Sequence, residues 1–166
     1  MKPKICIVIS TYNSGITKKL LLSAKNELKK YGVYKVKDYK VPGAFEIPVT
    51  ISRLAKKFDA FIAIGCIIRG QTANFDLISS AITNAIMNLS ITYKKPIGNS
   101  IITLFNKNQA SKRYSKGKEA ANAIVEVLKI KKMILVSRAK KRVIALKGYG
   151  IEIKKQEIIK WNQKFV

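Results

Sequence analysis

Phe58-Asp59-Ala60-Phe61-Ile62-Ala63-Ile64 is an apolar run of strand length, and Phe75, Ile78, Ile82, Ile86 and Leu89 then recur at three- or four-residue spacing. The first pattern suits a strand buried on both faces, the second an amphipathic helix. Between them, Gly65-Cys66-Ile67-Ile68-Arg69-Gly70-Gln71-Thr72 carries the chain from a strand's carboxyl end into a helix's amino end. Free backbone N–H groups and the positive end of the helix dipole make such a turn a natural anion site. Gly70 lets a ligand approach the backbone. Thr72 would cap the helix or hold a phosphate oxygen. In isolation, the same residues would equally serve only to make the turn and cap the helix.

The remainder of the chain repeats this strand-to-helix grammar. Residues 4–10 (Lys-Ile-Cys-Ile-Val-Ile-Ser) read as a buried strand, followed by a turn at 11–15 and a helix over about 16–31 that ends at Gly32. Leu20, Leu21, Ala24 and Leu28 form that helix's inner face. A strand near 34–39 leads to Val41-Pro42-Gly43-Ala44-Phe45-Glu46-Ile47-Pro48, which opens a helix through about residue 57 with Pro48 in its first turn. Lys94-Lys95-Pro96 ends the central helix, and residues 97–104 form a fourth strand. A short helix is predicted over 106–113 and a longer one over about 117–131, with Ala121, Ile124, Val125 and Leu128 inward. The order βαβαβαβα predicts an α/β fold, a parallel sheet with helices on both faces. In open sheets of this class ligands bind at the strands' carboxyl edge. Tyr12-Asn13, residues 43–46, residues 69–72 and the segment after Leu104 all follow strands, so they converge on one rim.

Residues 1–132 are read as one α/β domain and 133–166 as a basic carboxyl-terminal extension with nine basic and two acidic residues. Within the extension, residues 142–146 and 151–153 flank Lys147-Gly148-Tyr149-Gly150, which fits a hairpin. A basic arm docked through Trp161 and Phe165 fits as well, and neither reading assigns a function.

The net charge is +24, with 33 Lys and Arg against 9 Asp and Glu. That draws nucleic acid or a small anionic substrate. Only five of the cations are Arg, the preferred reader of phosphates and bases, so specific nucleic-acid binding is not expected. The chain has no His, so acid–base steps must use Lys, Glu, Asp, Tyr, water or the substrate itself. Two Cys without His do not make a zinc site. Cys6 and Cys66 lie in apolar runs and read as reduced core residues. No apolar stretch approaches about 18 residues and no secretion signal opens the chain, so a cytoplasmic location without membrane contact is expected.

Three segments together resemble the lumazine synthase family over about residues 4–131. They are the glycine–aromatic–glutamate string at 41–48, the phosphate turn at 64–72 followed by Phe75-Asp76, and Gln109-Ala110 with Arg113 before Lys116-Gly117-Lys118-Glu119-Ala120-Ala121. The resemblance implies a flavodoxin-like three-layer α/β/α sandwich with a four-stranded parallel sheet. It implies condensation of 5-amino-6-(D-ribitylamino)uracil with 3,4-dihydroxy-2-butanone 4-phosphate, releasing phosphate and water, without metal or cofactor. It also implies homopentamers or sixty-subunit shells with each active site between neighbours. Carried over residue by residue, Tyr12 stacks on the pyrimidine and Asn13 hydrogen-bonds it. Ala44 and Phe45 offer backbone groups, and Glu46 holds ribityl hydroxyls, although a glutamate in the first turn of the helix that follows is also simply favoured by the helix dipole. Ile68, Gly70, Gln71 and Thr72 line the phosphate site, and Arg113 clamps the phosphate from the neighbouring subunit. Lys116 and Glu119 transfer less directly, because the loop before them is about four residues shorter than the family's.

Two residues depart from the family pattern. Asn74 stands where the family has the histidine assigned to proton transfer, and an amide cannot titrate. Asn99 stands where a neighbour's aromatic side chain covers the pyrimidine. With the leaving phosphate or Lys116 carrying the proton, a slower enzyme is expected. The alternative is a catalytically impaired paralogue that binds a flavin or pyrimidine, or forms shells.

Overall fold

A computed structural model describes residues 3–33, 35–130, 132–137 and 152–158. The chain divides into two compact units, Met1–Val125 and Glu126–Val166. In the first unit, β1 (Ile5–Ser10), α1 (Ser14–Lys30), β2 (Val36–Val41), α2 (Ile47–Leu54), β3 (Ala60–Ile68), α3 (Asn74–Tyr93), β4 (Ile97–Leu104) and a 3-10 turn (Lys107–Arg113) follow in order. The helix α4 (Ser115–Ile130) crosses the boundary between the units. The four strands form one parallel sheet in the order β2-β1-β3-β4, the predicted α/β architecture.

Burial explains why the central strands were easy to read. Every residue of β1 is buried, as is β3 from Ala60 to Cys66, because both strands have neighbours on each side and helices on each face. Cys6, Val8, Phe61 and Ala63 face Ile47 and Ile51 of α2 and Ile82 and Ile86 of α3. On the opposite face α4 lies close to α1 and β4. A Cβ placed on Gly117 would stand 2.1 Å from the Leu20 carbonyl oxygen, and one on Gly98 would stand 2.4 Å from that of Ala120. Pro48 occupies the first turn of α2, where its missing N–H costs nothing.

Several boundaries differ from those predicted. β2 and β3 continue to Val41 and Ile68, beyond 39 and 64, since pairing with β1 and β4 extends them. α2 ends at Leu54, three residues early, and Lys95 Nζ donates to the carbonyls of Ala55 (2.6 Å) and Phe58 (2.5 Å) just beyond it. Leu21 and Leu128, predicted inward, are only half-buried, while Ile16, Thr17 and Ala120 join the core.

In the second unit, β5 (Lys132–Ser137) and β6 (Glu152–Ile158) pair in parallel. A parallel pair cannot be joined by a tight turn. Ile153 of the expected hairpin therefore lies in a strand running parallel to its partner. The hairpin's other arm, its turn, Trp161 and Phe165 lie outside the described residues.

Candidate functional site at the carboxyl rim of the sheet

Strand register gives the rim two levels. Ile9 pairs with Ile64 and β1 stops one residue later, whereas β3 continues to Ile68, level with Leu104 at the end of β4. β3 and β4 thus stand about 10 Å, three residues at about 3.3 Å each, above the ends of β1 and β2. The segments after β1 and β2 make the lower step, and residues 69–73 top the wall.

On the lower step, the Thr11 and Tyr12 N–H groups donate to the Val41 and Pro42 carbonyls at 2.8 and 3.0 Å. Asn13 adopts the left-handed conformation (φ 57°), which asparagine tolerates better than most residues. Its Nδ2 donates to the Cys66 carbonyl at 3.1 Å, joining the two levels. The Tyr12 ring is left 71% exposed. In the next segment Ala44 is buried and the Phe45 ring projects outward. Glu46 was expected in the first turn of α2, but it is the helix's N-cap. Its carboxylate reaches back, and Oε2 accepts the Gly43 N–H at 2.8 Å. A Cβ on Gly43 would stand 2.9 Å from that oxygen, so the closed loop favours glycine.

On the wall, Thr72 does not cap α3. The helix starts at Asn74 with Ala73 as N-cap and no side-chain cap bond. Thr72 therefore stands in the exposed turn with Gly70 and Gln71. Around the position of a Gly70 Cβ there is open space. Past Arg69, whose N–H donates to the Leu104 carbonyl at 2.8 Å, the first backbone N–H groups with a carbonyl partner among the described residues are those of Asp76 and Leu77. Both point to Ala73 O. Among the described residues the N–H groups of residues 70–75 thus have no backbone carbonyl partner, as at other helix amino ends. Asn74 is exposed at the helix's first position, and Ile68 is half-buried at the end of β3.

Other predicted site residues are not joined to this rim within the chain. Asn99 lies in the middle of the edge strand β4, exposed, five residues before its end, and its Oδ1 accepts the Ile101 N–H at 2.9 Å. Arg113 is exposed at the end of the 3-10 turn. Lys116 pairs with Glu119, which also accepts a bond from Ser115 Oγ at 3.0 Å. The hydrogen bond from Lys116, then that from Ser115, holds the Glu119 carboxyl below its usual range. Among the described residues no hydrogen bond links Arg113 or Lys116 to residues 12–13, 43–46 or 70–74.

Burial pushes the Cys66 thiol up to about 11 and the Cys6 thiol up to about 12, so neither serves as a thiolate. Among the described residues no three metal-ligating side chains gather, and no helix is long and apolar enough to cross a membrane. One rim residue, Phe105, was not singled out from the sequence. It follows β4 directly, is 62% exposed, and lies under the Arg69 guanidinium. An exposed aromatic directly after an apolar strand was the available signal.

The 6,7-dimethyl-8-ribityllumazine synthase family model matches residues 2–132. A protein of that name from Polaromonas sp. (strain JS666) is 40% identical over 131 residues, covering 76% of this chain and 85% of the relative. The corresponding protein of Verminephrobacter eiseniae is 43% identical with the same coverage. That of Buchnera aphidicola subsp. Baizongia pistaciae is 40% identical over 139 residues, covering 78% and 87%. The chain belongs to the 6,7-dimethyl-8-ribityllumazine synthase family.

Proposed function

We propose that the chain is a 6,7-dimethyl-8-ribityllumazine synthase. It would condense 5-amino-6-(D-ribitylamino)uracil with 3,4-dihydroxy-2-butanone 4-phosphate and act in riboflavin biosynthesis. The observation that carries this reading is the family match over residues 2–132, the stretch that contains every rim segment. The pyrimidine lies on the exposed Tyr12 ring. Glu46 holds the ribityl chain through Oε1, its Oε2 being committed to Gly43. Because Asn13 Nδ2 spends one of its two N–H donors on Cys66 O, its Oδ1 and the second N–H are left for the ligand. Residues 70–72 receive the phosphate with their N–H groups, and Arg113 of a neighbouring subunit closes on it with two parallel N–H bonds.

The substrate's own amine attacks the ketone, so holding the two reactants side by side supplies up to about 7–11 kcal/mol of the acceleration. With Asn74 at the usual histidine position, the proton is carried by the leaving phosphate or by Lys116, and turnover is slower by up to the roughly 10²–10⁴-fold that general acid–base catalysis contributes. We place Asn99 of the neighbouring chain over the pyrimidine. The assembly is a homopentamer, or a sixty-subunit shell of pentamers. The exposed Leu77, Met87 and Ile91 of α3 supply apolar surface for such packing. Residues 133–166 are a separate basic extension, and the two buried free thiols agree with a cytoplasmic setting. Incubating the assembled protein with both substrates tests the reading. Lumazine and phosphate should form together, and folded oligomer that yields neither would refute it.

A further inference from the structure

Phe105 touches both ends of the phosphate turn. The Arg69 guanidinium carbon lies 5.5 Å from its ring centroid, within range of a cation–π contact. The Phe75 ring lies 6.0 Å away at an interplanar angle of 36°. Arg69 is the first residue past β3 and Phe75 is in the first turn of α3, so residues 70–74 form a loop whose two ends rest on one ring. The backbone that carries the ring is held from two sides. The Arg69 N–H donates to Leu104 O at 2.8 Å, and the Phe105 N–H donates to Gln109 Oε1 at 2.9 Å. Among the described residues, α3 has no side-chain cap and nothing lies within 4 Å of a Gly70 Cβ.

We propose that Phe105 is a positioning residue for the phosphoester substrate. In contact with Arg69 and Phe75, it sets the span of residues 70–74 so that their N–H groups converge on the phosphate before it binds. Preorganising the loop removes an ordering cost from binding, and the benefit goes to the phosphate-bearing substrate alone. The inference rests on the reading of residues 70–72 as the phosphate turn.

The test compares wild type, Phe105→Ala, Phe105→Leu and Phe105→Tyr as assembled protein. It measures the Kd of inorganic phosphate by phosphorus NMR titration and the KM of each substrate. Phe105→Ala should raise the phosphate Kd and the butanone phosphate KM roughly tenfold. The ribitylaminouracil KM should not move. Phe105→Tyr should restore both values, whereas Phe105→Leu, which keeps apolar bulk without a ring, should not, and it carries the test if the alanine variant fails to fold. Unchanged phosphate binding in Phe105→Ala, equal weakening of both substrates, or rescue by leucine overturns the proposal while leaving the synthase reading intact. Wild type that forms no lumazine, yet loses phosphate on Phe105→Ala, refutes the synthase reading and keeps the positioning role of Phe105. Wild type that binds no phosphate overturns both.

Discussion

Replacing Asn74 by histidine tests the catalytic reading most directly. Asn74 is the first residue of α3, exposed, and among the described residues its side chain makes no hydrogen bond, so the change should alter stability by no more than about 0.5 kcal/mol. The helix amino terminus disfavours an imidazolium by about 0.3–1 kcal/mol, which places the new imidazole roughly 0.2–0.7 pH units below its ordinary value of about 6.5. It should therefore be neutral near pH 7 and ready to accept a proton. General acid–base catalysis contributes about 10²–10⁴-fold where geometry is ideal; at least a tenfold rise in kcat is expected here. The assay follows lumazine formation under saturating substrates from about pH 5 to about pH 9. The natural chain contains no histidine, so a new kinetic limb near pH 6 seen only in the variant reports the introduced group. A folded, phosphate-binding variant with unchanged kcat and no new limb would show that Asn74 does not face the reacting atoms.

Four further outcomes follow from the packing. Gly65→Ala places a Cβ 3.2 Å from that of Ala44 and 3.3 Å from Ile101, so it should cost about 1–2 kcal/mol and, by displacing the segment that leads to Glu46, raise the KM of the pyrimidine in steady-state assays. Gly117→Ala drives a Cβ to 2.1 Å from the Leu20 carbonyl oxygen, a backbone atom that cannot swing away, and should lower stability in urea by about 3 kcal/mol or more. Lys95→Met strips the Ala55 and Phe58 carbonyls of their donor and should cost about 1–3 kcal/mol, read as a lower Tm with little change in KM. The hydrogen bond from Lys30 holds the Glu27 carboxyl below its unfolded value of 4.5; the stability it adds is present above that pH and lost as pH falls through the lower folded value. Acid unfolding of Glu27→Gln should accordingly show a shallower pH dependence than wild type.

The sequence alone determined the alternation of strands and helices, the parallel sheet and the rim on which residues 12–13, 43–46 and 69–72 meet. These are local properties: β1 and most of β3 are buried on both faces and are mainly apolar, while α1 and α4 show most of their inner faces at helical spacing. Tertiary structure alone decided how those segments engage one another. That β3 overshoots β1 and that Asn13 donates to the carbonyl of Cys66, 53 residues away, depend on register between distant strands. The packing of Arg69 and Phe75 against Phe105 has the same origin. Such contacts join residues whose neighbours in the chain carry no trace of the partner, so no spacing rule reveals them.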